Sequence, residues 1–155
     1  MSHLAGKVAI VTGAARDRSI GGGIARVLAR HGADVVVNDL AVSEEGERRV
    51  QEIEALGRRA TLIAADVTDP ASAEALMAQT VERMGRLDIV VANAGVCDWQ
   101  NVADMSADLW DRIVGVNLHG CLTRAAPPPR RCAPAERAAG SSRRRRCMPR
   151  CRSRR

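Results

Sequence analysis

"KVAIVTGAARDRSIGGGIA", Lys7 to Ala25, decides how the rest of the chain is read. It opens with a short apolar run rich in β-branched residues. It then turns through glycine and continues with Ile24, Val27 and Leu28 on one face of a helix. A strand that enters a glycine-rich turn and leaves as a helix is the setting of a dinucleotide site. Gly13 allows a sharp turn. Gly21 to Gly23 keep side chains away where a pyrophosphate must approach backbone N–H groups. The helix beginning near Gly21 turns its positive end toward those phosphates. Glycines alone would equally suit an ordinary flexible connection, and the strand–turn–helix context favours the first reading.

Outward from this stretch the same alternation repeats. ADVVVND (33–39), ATLIAAD (60–66) and LDIVVANAG (87–95) join KVAIVT (7–12) as short apolar runs with little in/out alternation. Strands buried on both faces read this way, as in a parallel sheet covered by helices. Ser43 is placed to cap a second helix with an apolar stripe of Val50, Ile53 and Leu56. Asp69-Pro70 starts a third, with proline where its missing N–H costs nothing. Leu76, Met77, Val81 and Met84 form its expected buried side, and Gly85 its stop. Ser106 caps a fourth, carrying Leu109, Trp110, Ile113, Val114 and Val116. The order β-α-β-α-β-α-β-α predicts an α/β fold, a Rossmann-like doubly wound parallel sheet with right-handed crossovers, truncated after about four βα units.

Strand ends supply the remaining candidates. Asp39 closes the second strand. Its carboxylate there would bond both hydroxyls of an adenosine ribose and repel a 2′-phosphate, favouring NAD over NADP. Arg16 and Arg18 are nearby cations that soften this preference. Asp66 closes the third strand, where it either accepts from an adenine amino group or serves as a turn residue. Asn93-Ala94-Gly95 closes the fourth, at the edge where open α/β sheets bind ligands. Each of these residues also suits a plain turn.

Taken together, TGAAR…IGGGIA, VVVNDL, ADVTD, NAG and WDRIVGVNLHG resemble the short-chain dehydrogenase/reductase family, over about residues 4–120. The loop is longer than the family's usual TGxxxGxG by two residues around Asp17-Arg18, with Ser19 at the middle glycine and Gly21 at the last. A TGxxxxxSI loop is similar to that of enoyl-acyl-carrier-protein reductases, whereas NAG belongs to classical members; the chain reads as a classical member with a lengthened loop. The resemblance implies hydride transfer between a nicotinamide and a carbonyl or alcohol. It carries cofactor contacts onto Gly13, Arg16, Ser19, Ile20, Gly21, Asp39, Leu40, Asp66, Val67, Asn93, Ala94 and Gly95. It also implies a homo-oligomer built on helices around and beyond Asn117, an interface this chain is not expected to keep.

The family's catalytic set is Asn, Ser, Tyr and Lys, and only the Asn maps here, to Asn117. The tyrosine acts as acid/base on the substrate oxygen and the lysine lowers its pKa. These 155 residues hold no Tyr and no Phe, and the single lysine is Lys7. The chain as written is therefore expected to bind cofactor and not to catalyse. The alternatives are a nucleotide-binding module without chemistry and a nucleic-acid binder working through the basic tail.

Charge divides the chain at the same place. Residues 1–120 carry 12 Lys+Arg against 17 Asp+Glu, and residues 121–155 carry 12 Arg against Glu136 alone. The net charge of +6 thus averages unlike parts and says nothing about partners of the first. The second part holds five of the six prolines, four of the five cysteines, and only Leu122 and Met148 as large aliphatics. It is expected to be disordered. RRRR at 143–146 is the centre of a basic tail that would bind nucleic acid or anionic surfaces; no aromatic residues are interleaved for base stacking, so only phosphate attraction remains and this reading is the less favoured one. Cys147-x-x-x-Cys151 lacks a second ligand pair, so no metal is expected. The composition fits a GC-rich frame read out of register, a frameshift product. Without further strands the fourth becomes a sheet edge, exposing Ile89, Val90 and Val91. No signal peptide and no run of the ~20 apolar residues a membrane span needs are evident, so a cytoplasmic location is expected.

Overall fold

The computed structural model describes residues 3–121. Four parallel strands, β1 (Val8–Thr12), β2 (Asp34–Asp39), β3 (Ala60–Ala64) and β4 (Ile89–Val91), alternate with helices α1 (Ile20–Arg30), α2 (Glu44–Glu54), α3 (Pro70–Met84) and α4 (Ala107–Val114). The sheet order is β3-β2-β1-β4, with Ile10 level with Val36 on one side and Val90 on the other. The chain walks outward from β1 to β3, then α3 carries it back to the far side of β1. That reversal makes the C-terminal end of β1 the switch point of the sheet, where a crevice opens.

Both sheet faces are covered, which explains the unbroken apolar runs. Val11, Val35 and Val37 pack against Ala25 and Ala29 of α1 and Ile53 of α2. Val8, Ile10 and Val36 point the other way, onto Leu76 and Met84 of α3. Side chains on successive strand residues alternate between two apolar layers, so both sets are apolar along the strand centres.

The helix ends follow local chemistry. Ser43 accepts from Gly46 N–H, Asp69 from Ala71 and Ser72 N–H, and Ser106 from Leu109 N–H. Gly85 ends α3 in the left-handed region at φ 87°. The helix faces needed correction. Val27 and Leu56 are exposed, because Ile24, Leu28, Val50 and Ile53 already fill the face turned to the sheet. Trp110 is also exposed, and no residue of α4 is buried. In α3 the buried side includes Ala73 and Thr80 as well as Leu76 and Met84, and Met77 and Val81 are only partly covered. β4 is shorter than the apolar run 87–95. Pairing with β1 ends at Val91, and Asn93 onward leaves the ladder to build the crevice. Among the described residues β4 pairs with β1 alone, and Ile89, Val90 and Val91 are half-buried. After α4 the helix widens into a π-type turn at Gly115–His119. The expected disorder of the tail lies outside the described residues from position 122 onward, and so does the Cys147/Cys151 pair.

Candidate dinucleotide site

A cavity of about 870 Å³ sits at the switch point. Its walls come from the loop after β1 (Gly13, Arg16, Ser19, Ile20), the end of β2 (Asn38, Asp39, Leu40) and the stretch after β3 (Ala65–Thr68). Asn93–Cys97 after β4, and Asp111, Arg112, Gly115 and Val116 at the end of α4, close it. Sequence-predicted Gly13, Arg16, Ser19, Ile20, Asp39, Leu40, Asp66, Val67, Asn93, Ala94 and Gly95 all stand on this wall. Gly21 and Asn117 do not line it: Gly21 abuts Gly13 and Asn93, and Asn117 lies beside Gly95 and Val96.

The glycine loop is built for close approach. Gly13 has φ +62°, and a Cβ there would fall 2.8 Å from the Ala94 Cα. A Cβ on Gly21 would lie 2.6 Å from the Gly13 carbonyl oxygen and 2.5 Å from Asn93 Nδ2. So Gly21 admits the loop and the β4 end against one another and is itself buried. The remaining two glycines depart from the expected role of baring backbone to phosphate. Gly22 makes room for the Arg49 guanidinium, and Gly23 faces open space. Ser19 caps α1, its Oγ accepting from Gly22 N–H at 3.0 Å and donating to the Arg16 carbonyl at 2.8 Å. The first turn of α1 thus opens at the cavity. The N–H groups of Ile20 and Gly21 have no intrahelical carbonyl to bond there, and the helix dipole adds partial positive charge. An anionic pyrophosphate fits that surface.

The Asp39 carboxylate is held in place by two backbone donors, Leu40 N–H to Oδ1 at 2.9 Å and Ala15 N–H to Oδ2 at 3.2 Å. It faces the cavity from the tip of β2. Asp66 works as a turn residue: its Oδ1 accepts from both the N–H and the hydroxyl of Thr68 at 2.8 Å, and its own N–H is held by Ser72 Oγ. Its Oδ2 makes no hydrogen bond among the described residues.

Three residues that tie the site together were missed in the sequence. Thr12 is fully buried. Its hydroxyl accepts from Asn93 N–H at 3.1 Å and Ala94 N–H at 3.0 Å and donates to the Val91 carbonyl at 3.3 Å. Asn93 returns the tie, donating from Nδ2 to the carbonyls of Thr12 at 2.8 Å and Gly13 at 3.2 Å. Asn38, also fully buried, donates to the carbonyls of Ile63 and Ala65 and so locks the end of β2 to the end of β3. Arg49 is a buried cation under the loop. Thr12 and Asn38 are polar residues at the ends of apolar strands, which is the only local signal they offer.

Asn117 lies in the π-type turn and reads the backbone of Val96. Its Oδ1 accepts from Val96 N–H and its Nδ2 donates to the Val96 carbonyl, both at 2.9 Å. It thereby holds the segment after NAG against the end of α4. Lys7 is at the opposite end of β1 from the cavity, paired with Asp88 at 3.2 Å. Burial pushes the Asp88 carboxyl up, but Arg86, the Val8 N–H and Lys7 outweigh it and hold the group at about 2. Asp34 is likewise held low: burial raises it, and hydrogen bonds from Arg58 and Arg59 more than offset this. Both carboxylates anchor the far end of the sheet.

A family model described as "Enoyl-(Acyl carrier protein) reductase" matches residues 13–138. The chain belongs to the short-chain dehydrogenase/reductase family. That description coincides with the class whose loop spacing the glycine stretch resembles. Among curated relatives, oxidoreductase UcpA of Salmonella typhimurium is 44% identical over 130 residues, 83% of this chain and 48% of the relative. L-rhamnose 1-dehydrogenase (NAD(P)(+)) of a Sphingomonas species is 42% identical over 120 residues, 77% of this chain and 46% of the relative. A short chain dehydrogenase from Burkholderia cenocepacia, solved in complex with NADP, superposes with a TM-score of 0.74 at 38% identity, covering 79% of this chain and 49% of that one. The chain spans about half the length of the curated relatives it matches. Among the described residues no helix is long and apolar enough to cross a membrane.

Proposed function

We propose that the chain is the dinucleotide-binding half of an NAD(P)-dependent oxidoreductase and prefers NAD. The observation that carries this reading is the convergence of the α1 N-terminus and the doubly anchored Asp39 carboxylate on one cavity. Gly13, Ser19, Ile20 and Gly21 would form the pyrophosphate turn, with Arg16 beside it. Asp39, next to Leu40, would accept from the adenosine ribose hydroxyls. Asp66 and Val67 would flank the adenine, with Asp66 Oδ2, which makes no hydrogen bond among the described residues, as an acceptor for its amino group. Asn93, Ala94 and Gly95 would border the nicotinamide side.

When bound, a nicotinamide supplies hydride transfer to or from a carbonyl or alcohol carbon. The residues in hand bind and orient; Asn117 would keep Val96 and the NAG segment in place. A proton at the substrate oxygen needs an acid/base group, and here the tyrosine is absent from the sequence and Lys7 faces away. These 155 residues are therefore proposed to bind cofactor without turning over substrate.

The NAD preference rests on charge. A 2′-phosphate brought to Asp39 would meet a carboxylate whose backbone donors fix it in place, and like charges at close range disfavour binding. Titration with NADH and NADPH, followed by nicotinamide fluorescence, tests this. NADH should bind at least about tenfold tighter, a difference of ~1.4 kcal/mol, and Asp39→Ser should narrow the gap. Tighter binding of NADPH by the unaltered chain would defeat the NAD preference.

A further inference from the structure

Two successive arginines of α2 reach across to the lengthened part of the glycine loop. Arg48 pairs with the Asp17 carboxylate at 3.0 Å on the surface. Arg49 is buried, its side chain only 3% exposed. One of its terminal nitrogens donates to the Arg16 carbonyl at 3.2 Å, the other to the Glu52 carboxylate. Its Nε is buried without a partner among the described residues. The guanidinium lies so close under the first turn of α1 that a Cβ on Gly22 would fall 2.6 Å from it. The same Arg16 carbonyl also receives the hydroxyl of Ser19, the α1 cap. Cap, loop and Arg49 thus meet at one oxygen.

A buried cation carries a desolvation penalty, and the positive end of a helix beside it adds to that penalty. Glu52 offsets part of this, although its side chain is 44% exposed. An anion seated on the other side of the same helix turn would offset more. We propose that Arg49 is a positioning residue for a phosphate-bearing ligand. It pins the Arg16–Ser19 loop to α2 and sets a second positive charge behind the first turn of α1. The inference rests on the dinucleotide reading of the cavity and adds a residue that the cavity wall does not contain.

The test compares ADP, NADH and adenosine as ligands, by calorimetry for the first two and ligand-observed NMR for the third. Arg49→Met should weaken ADP and NADH about tenfold, the loss expected for a contact that includes a charged group. Adenosine should change less than about twofold, and Arg49→Lys should recover part of the loss. Equal losses for all three ligands would mean a purely structural role and overturn the proposal, as would unchanged ADP binding. If the unaltered chain binds neither ADP nor NADH, the dinucleotide reading itself fails. Should Arg49→Met not fold, Gly22→Ala supplies a second arm with Arg49 retained: a methyl there must displace the guanidinium, so it should weaken ADP and leave adenosine within about twofold. Equal losses for ADP and adenosine, or unchanged ADP binding, would overturn the proposal.

Discussion

Replacing Thr12 by valine removes one oxygen and keeps the shape. Thr12 is fully buried, and its hydroxyl accepts from Asn93 and Ala94 N–H while donating to the Val91 carbonyl. Valine leaves both N–H groups without that acceptor. An unmet buried donor costs about 1–3 kcal/mol. Because the two bonds are only part-buried, the expected loss is about 2 kcal/mol in total. That is a sizeable share of the ~5–15 kcal/mol that stabilises a typical domain. Urea unfolding followed by circular dichroism reads the loss as a lower midpoint with an unchanged slope. Amide exchange should localise it, with Asn93 and Ala94 losing protection before the centre of β1. NADH binding should weaken as well, since Gly13 and NAG share this tie. Thr12→Ser keeps the oxygen and should retain the local protection even though a methyl is lost. A Thr12→Val chain within about 0.5 kcal/mol of the parent, the ordinary scatter of neutral surface substitutions, would refute the reasoning.

Gly13→Ala should abolish measurable NADH binding and lower the melting temperature, because alanine meets both a φ of +62° and a Cβ only 2.8 Å from the Ala94 Cα; a parent-like titration would contradict this. Asp88→Asn should cost about 1 kcal/mol at neutral pH, the depressed pKa being discounted for the half-exposed Lys7 and Arg86. The folded carboxyl titrates near 2, below its ordinary 3.8, so its contribution is whole above 3.8 and is lost as pH falls toward 2. The gap between parent and Asp88→Asn should therefore close over that window, and a pH-independent gap would count against the ion pairs. Asn117→Ala should raise amide exchange at Val96, whose N–H and carbonyl both bond its side chain; unaltered exchange would remove its holding role.

What the sequence disclosed was local, and what it concealed was long-range. Ser43, Asp69, Ser106 and Gly85 act on backbone within a few residues, so their caps and stop were readable from type and position alone. The double burial of the strands was equally plain in Val35, Val36 and Val37, all apolar in succession. Helix facing was less legible. Val27 and Ile24 are three apart and both apolar, and only the width of the packed interface leaves one outside. The hidden part of the site depends on partners far along the chain. Thr12 meets Asn93 across 81 positions and Arg49 meets Arg16 across 33. Nothing near Arg49 in EEGERRVQEIE distinguishes it from the exposed Arg48 beside it. The shared glycine run misled in the same way, since Gly21, Gly22 and Gly23 face three different surroundings.

The most direct measurement is a 1H–15N NMR titration of the chain with NADH. Dinucleotide binding at the switch point predicts saturable shifts with a dissociation constant within about 1 µM–1 mM, the range of ordinary cofactor and substrate affinities. Those shifts should be confined to the amides of Gly13–Gly21, Asp39–Leu40, Asp66–Val67 and Asn93–Val96. Saturable shifts centred elsewhere, or none at millimolar NADH in a chain whose spectrum is folded, would contradict it.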